Sequence, residues 1–172
     1  MRLSLLIPLL TIIACSTKHE IKIDLSGHSL KSIPDSVFDQ HDLVYLNLGA
    51  SGITFYPPVS VLVDSGANQI TTIPNSINKL TNLKTLILNA NRLVSLPAGI
   101  TKLKKLEVLD LSLNKELDIL REIEKIKELL NLKLLKIVFV KLDPDSVNVV
   151  KKSLRPSIKI ISTIPEYMEN FN

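Results

Sequence analysis

Leu83-Lys-Thr-Leu86-Ile-Leu88-Asn-Ala-Asn91 and Leu106-Glu-Val-Leu109-Asp-Leu111-Ser-Leu-Asn114 share the spacing L-x-x-L-x-L-x-x-N and stand 23 residues apart. Leu43-Val-Tyr-Leu46-Asn-Leu48 repeats the first six positions. So does Leu129-Leu-Asn-Leu132-Lys-Leu134, again 23 residues after Leu106. Two weaker copies keep the phase: Ile23, Leu25 and Leu30 from an origin at Glu20, and Val63, Asn68 and Ile70 from an origin at Ser60. A proline recurs at one fixed place after four of these origins: Pro34 after Glu20, Pro57 after Leu43, Pro74 after Ser60 and Pro97 after Leu83. Leu120 holds that place after Leu106. Val37, Ile77 and Ile100 follow three positions later.

The spacing dictates a structure. Side chains alternate along a strand, so Leu86 and Leu88 share one face while Thr85, Ile87 and Asn89 share the other. A single short strand cannot bury its leucines. Stacked copies form a parallel sheet over one continuous core. The proline segment then returns along the outer side and packs Ile100 and Leu103 behind the strand leucines. The composition agrees: 45% of residues are hydrophobic, 4% are aromatic and there is no Trp. Such a core is built from aliphatic side chains in layers.

Over roughly residues 20–140 these motifs resemble the leucine-rich-repeat family, in its 23-residue bacterial form. The resemblance implies an α/β solenoid with a curved parallel sheet on the concave face. Loops, 3-10 turns and short helices would form the convex side, and a helix–strand cap the C-terminal end. In the family, asparagines such as Asn68, Asn91 and Asn114 stack in a column and hydrogen-bond loop backbone. His28, Ser51 and Ile137 hold that place elsewhere, so the ladder is expected only in the middle. From Leu43 to Ser60 is only 17 residues, which predicts one shortened coil near 57–60 among about six. Ile119, Ile123, Ile126 and Leu130 recur at helical spacing. Asp143-Pro144-Asp145-Ser146 reads as the capped start of a helix that ends before Pro156, with a last strand at Ile158–Ile161. Residues 20–142 are thus expected to be the solenoid and 143–172 its cap.

The first residues read differently. Arg2 precedes an apolar run from Leu3 to Ala14, too short for a membrane span and suited to a secretory signal peptide over 1–14. Cys15 is the single cysteine, so no internal disulfide can form. Ile12-Ile13-Ala14-Cys15 resembles the lipobox of bacterial lipoproteins. That resemblance implies lipidation at Cys15, a tether over 15–19 and export to a bacterial cell envelope, anchored in the outer membrane or at the cell surface; otherwise the protein is secreted. The formal net charge is +4 and falls to +3 without Arg2, an excess too small to point to nucleic acid.

Chemistry-bearing motifs are missing. The sequence has no Gly-rich phosphate loop, no G-x-S-x-G and no H-E-x-x-H. His19, His28 and His41 lack ligand spacing, so no metal and no cofactor is expected. Basic clusters at Lys102, Lys104 and Lys105, and at Lys151, Lys152 and Arg155, read as solvated faces. The expected interaction surface is the concave face: Asp24, Tyr45, Asn47, Leu62, Asp64, Thr85, Ile87, Val108 and Asp110, an acidic row beside exposed apolar groups. The reading is a monomeric, non-catalytic protein-binding module whose partner is a host or envelope protein. A structural envelope component without a specific ligand is the alternative, and an enzyme with an unrecognised site is a second.

Overall fold

The leucines that define the repeat form the core. Leu43, Leu46 and Leu48, Leu83, Leu86 and Leu88, and Leu106, Leu109 and Leu111 are fully buried. The computed structural model describes residues 20–56, 60–63 and 66–170. Its strands in chain order are β1 (Ile21–Asp24), β2 (Leu43–Asn47), β3 (Ile53–Tyr56), β4 (Ser60–Val63), β5 (Thr85–Ile87), β6 (Val108–Asp110), β7 (Leu134–Lys136) and β8 (Lys159–Ile161). Six of them make one parallel sheet in the order β1-β2-β5-β6-β7-β8. This is the leucine-rich-repeat solenoid that the spacing predicts.

Outer returns are set by the prolines. Pro34, Pro74 and Pro97 each precede a five-residue 3-10 segment: Asp35–Asp39, Asn75–Lys79 and Ala98–Lys102. Proline fixes φ near −65° and lacks the N–H that a helix start would leave unpaired. Val37, Ile77 and Ile100 point from these segments into the core and are buried. The asparagine ladder closes the layers. Asn91 Oδ1 accepts from the Ile70 N–H at 2.9 Å, and its Nδ2 donates to the carbonyls of Leu48 and Leu88 at 2.9 and 3.1 Å. Asn114 repeats this with Leu93, Leu88 and Leu111. Asn68 repeats it with Leu30, Leu25 and Leu48.

Two features depart from the sequence reading. Asn68 bonds where position 51 would bond in a regular coil, so the coil that begins at Leu43 carries 17 extra residues before its ladder asparagine. The coil near 57–60 is therefore lengthened, not shortened. Its return is intact: the 3-10 segment Asn75–Lys79 serves it. The insertion forms a separate antiparallel hairpin, β3 with β4, paired Ile53↔Val63 through Tyr56↔Ser60. Its root packs on the first coil, where the Ser29 N–H donates to the Gly66 carbonyl at 2.7 Å. Gly27 nearby has φ +67°, and a Cβ there would lie 2.6 Å from Ser51 Oγ.

The second departure is the phase of the last repeat. Val108 pairs with Leu134 and Leu109 with Leu135, so Leu132, Leu135 and Ile137 take the core positions. The coil from Leu106 to Leu132 therefore runs three positions longer than the regular repeat. Its outer side is an α-helix, α1 (Ile119–Lys127), capped by Asp118, which accepts from the Leu120 and Arg121 N–H groups. An α-helix rises about 1.5 Å per residue against about 2.0 Å for a 3-10 helix, so it takes more residues to cover one return. Left-handed backbone confirms the phase. Gly27, Ala90, Leu113 and Phe139 have φ of 67°, 52°, 62° and 53° at one repeat position. Val140, not Ile137, therefore follows in the ladder column.

Two helices finish the chain. Asp143 caps α2 (Pro144–Ser153) by accepting from the Ser146 N–H at 2.9 Å. β8 follows as the sixth strand of the sheet, and α3 (Ile164–Glu169) follows β8. None of the described helices is long and apolar enough to cross a membrane.

Candidate functional site: the concave face

Register fixes which side chains stand together on the concave face. One column runs Lys22, Tyr45, Thr85, Val108, Leu134, Lys159. The next runs Asp24, Asn47, Ile87, Asp110, Lys136, Ile161. Tyr45, Asn47, Thr85, Ile87, Val108, Asp24 and Asp110 thus share one surface. Leu62 does not: β4 belongs to the hairpin and is not a strand of the curved sheet. Asp64 and Cys15 lie outside the described residues. The error over Leu62 has one cause. Alternation marks 60–63 as a strand but cannot tell which sheet it joins.

The second column does structural work in several coils. Asp24 Oδ1 accepts from the Ser26 N–H at 2.9 Å and the Ser26 hydroxyl at 2.6 Å. Asn47 Oδ1 accepts from the Gly49 N–H, and Asp110 Oδ1 from the Ser112 N–H, both at 3.0 Å. Each is an Asx turn that ends a strand. Asn47 also donates to Asp24 Oδ2 at 3.2 Å.

Exposure divides the face in two. On the N-terminal half, Lys22 and Asp24 are exposed, and Tyr45, Asn47, Thr85 and Ile87 are half-buried. Although partial burial opposes it, the donors from Ser26 and Asn47 hold the Asp24 carboxyl below its ordinary value. Partial burial, with the Asp24 carboxylate beside it, pushes the Tyr45 phenol up.

On the C-terminal half, α3 lies on the face. Asp110 is only 3% exposed, so it is not part of an open acidic row. The Tyr167 hydroxyl donates to Asp110 Oδ2 at 2.9 Å, and Asn89 Nδ2 donates to the same hydroxyl oxygen at 2.9 Å. The Lys136 ammonium sits 5.0 Å from the centre of the Tyr167 ring and donates to the Asn170 carbonyl at 2.6 Å. Lys159 donates to Asn170 Oδ1 at 2.6 Å. Val138, Ile161 and Tyr167 form a second buried cluster here, with Leu134, Phe139 and Ile164 against it. Burial pushes the Asp110 carboxyl up, against the donors of Ser112 and Tyr167 and the charge of Lys136. Burial and the Asp110 carboxylate push the Tyr167 phenol far up.

Sequence reasoning missed Tyr167, Lys136 and Lys159, and it placed Asn89 on the face with Thr85 and Ile87 without giving it a role. One signal was there: Thr163 followed three residues later by Glu166 has the pattern of a capped helix start. In the structure the Glu166 carboxylate accepts from the Ser162 and Thr163 N–H groups at 3.0 and 3.2 Å.

Three of the six residues in the basic clusters are engaged elsewhere. Lys104 donates to the carbonyl and carboxylate of Glu128, Lys105 to Asn82, and Arg155 to the Leu129 carbonyl. Among the described residues, no three His, Cys, Asp or Glu side chains gather as a metal ion would need.

No family model matches the chain, and no curated protein matches it. Solved structures do. The Arabidopsis receptor kinase HAESA ectodomain, in complex with an extended IDA peptide hormone, is 23% identical with a TM-score of 0.47. A Leptospira interrogans leucine-rich-repeat protein is 21% identical with a TM-score of 0.41, and an internalin from Listeria monocytogenes 17% identical with a TM-score of 0.48. The matches cover 76%, 81% and 84% of this chain but only 19%, 53% and 43% of those chains. The leucine-rich-repeat fold of this chain is carried by its own parallel sheet, its returning coils and its asparagine ladder.

Proposed function

We propose that the protein is a non-catalytic, monomeric protein-binding module that docks a partner protein on the open half of its concave face. Tyr45 and Ile87 supply the apolar centre, with Asn47, Thr85 and Val108 around them and Asp24 and Lys22 at the rim. The observation that carries this reading is that Tyr45, Asn47, Thr85 and Ile87 stay partly accessible on adjacent strands, whereas Asp110 and Ile161 farther along the second column are buried. Aromatic anchors inside a polar rim are common centres of protein interfaces. The burial of Asp110 alters the expected chemistry of the partner. One exposed carboxylate beside one exposed lysine gives little net field, so packing and hydrogen bonds outweigh charge in the contact. The anchor is proposed to be a lipid on Cys15, supported by the run Ile12-Ile13-Ala14-Cys15, which sets the module at a bacterial envelope.

The test is an affinity capture with the mature domain, followed by paired variants against the captured partner. Tyr45→Ala with Ile87→Ala is expected to weaken binding without unfolding the domain. Lys104→Ala with Lys105→Ala on the convex side is expected to leave binding intact. Loss of binding only in the lysine pair would move the site off the concave face. For the anchor, Cys15→Ala is expected to abolish acyl labelling, and equal palmitate incorporation in both proteins would refute it.

A further inference from the structure

The C-terminal half of the concave face is a cradle, and its parts come from separate coils. Asn89 follows β5, Asp110 ends β6, Lys136 ends β7, and Lys159 opens β8. Together they hold the Tyr167 phenol and the backbone and side-chain carbonyls of Asn170, over a floor of Leu134, Val138 and Ile161. The solenoid does not require this. Asp24 fills the position of Asp110 in the first coil, ends its strand through Ser26 in the same way and stands exposed. The phenol contact is thus an addition to the repeat.

The occupant is slight. α3 has six residues, too few to hold a helix in water without tertiary contacts. With Asn170, which caps its end, it presents Ile164 and Tyr167 to the cradle, the three residues spaced three apart along one side of the turn. Pro165, Met168 and Glu169 remain exposed. Its apolar contacts form a small cluster separate from the main core, so it can leave while the stacked leucines stay in place.

We propose that this half of the face is a second binding site, for a tyrosine-bearing segment of a partner protein, and that α3 is its occupant in cis. The segment it takes presents an apolar side chain, a phenol and a carbonyl at i, i+3 and i+6. The phenol donates to Asp110 and accepts from Asn89, while Lys136 lies over the ring. This deepens the concave-face reading and rests on it: a partner that spans the whole face must exchange its own segment for α3.

The experiment uses the full mature chain and a fluorescent synthetic peptide with the sequence of residues 162–172. The Tyr167→Ala chain, which leaves the phenol's place in the cradle open, is expected to bind the peptide at least about tenfold more tightly than the parent chain, whose cradle is filled. Replacing the peptide's tyrosine by phenylalanine is expected to weaken binding by about tenfold, the usual effect of losing a hydrogen bond to a carboxylate. Equal binding by the two chains, or by the two peptides, would overturn the proposal. Should Tyr167→Ala not fold, hydrogen exchange on the parent decides. Amides of 164–170 are expected to exchange well before those of β5 and β6, and equal protection would refute displacement. The Tyr45→Ala, Ile87→Ala chain separates the two readings. It is expected to lose the captured partner and keep the peptide behaviour of the parent, so either proposal can fail alone.

Discussion

Asp24 and Asp110 occupy the same position in two coils, and the two ends of the sheet treat them in opposite ways. Asp24 ends β1 in the open, and its carboxyl is held low by neighbouring donors. Asp110 ends β6 under Tyr167, and burial pushes its carboxyl up. The repeat fixes the backbone geometry of both, down to the Asx turn. It does not fix exposure, because exposure depends on α3, which lies outside the repeat. The concave face is therefore two surfaces, one open and one already filled.

The largest expected effect makes the two halves alike. Leu46→Ala, on the open half, and Leu109→Ala, on the filled half, should each destabilise the protein by about 2–5 kcal/mol, since each leaves a cavity between stacked coils. Asn91→Ala should cost about 1–3 kcal/mol by stranding the buried Ile70 N–H. Urea unfolding measures both. A cost below about 0.5 kcal/mol for either leucine would contradict the shared core.

The tyrosines separate the halves. Tyr167→Phe should cost about 1–3 kcal/mol, because it takes a donor from the buried Asp110 carboxylate. Tyr45→Phe, on a half-buried side chain, should change stability by less than about 0.5 kcal/mol. Equal costs in thermal melts would erase the distinction.

A smaller effect lies in pH. The Asp24 pKa is lowered on folding, so its contribution is present above the ordinary value of 3.8 and is lost as pH falls through the folded value. The Asp110 pKa is raised, so the folded state holds its proton more tightly and gains stability as pH falls through the raised value. Against Asp24→Asn, the parent should lose relative stability on acidification. Against Asp110→Asn, it should gain. Urea midpoints at neutral and acid pH check the two signs, and slopes of one sign would place both carboxylates in the same environment.

Much of this was legible in the residues. Leu83 to Asn91 and Leu106 to Asn114 fix strand, core and ladder, because stacking demands the same side chain in the same place. Two traps lay in the spacing. Pro57 stands as far from Leu43 as Pro97 does from Leu83, and Ser60 stands one period before Leu83, so the inserted hairpin passed for a coil. The interval from Leu43 to Leu83 is one period plus the insertion, and the apolar runs Ile53–Tyr56 and Ser60–Val63 around Pro57-Pro58 were the hairpin's own signal. Leu129 also stands one period after Leu106, but the α-helical return is longer, so the true phase begins at Leu132. The covering of the face was the least legible part. Contact between Tyr167 and Asp110 spans 57 positions, and no repeat encodes it.

Tyrosine nitration with tetranitromethane, mapped by peptide mass spectrometry, tests the division of the face most directly. The reagent attacks accessible phenolate. Tyr45 is half-buried on the open half, whereas Tyr167 is 1% exposed and its phenol is pushed further up. The account predicts that Tyr45 is modified at least about tenfold faster than Tyr167 in the folded chain, because its phenol is the more accessible and both burial and the Asp110 contact hold the Tyr167 proton in place. It also predicts that the difference vanishes in denaturant. Equal rates in the folded chain, or faster modification of Tyr167, would contradict it.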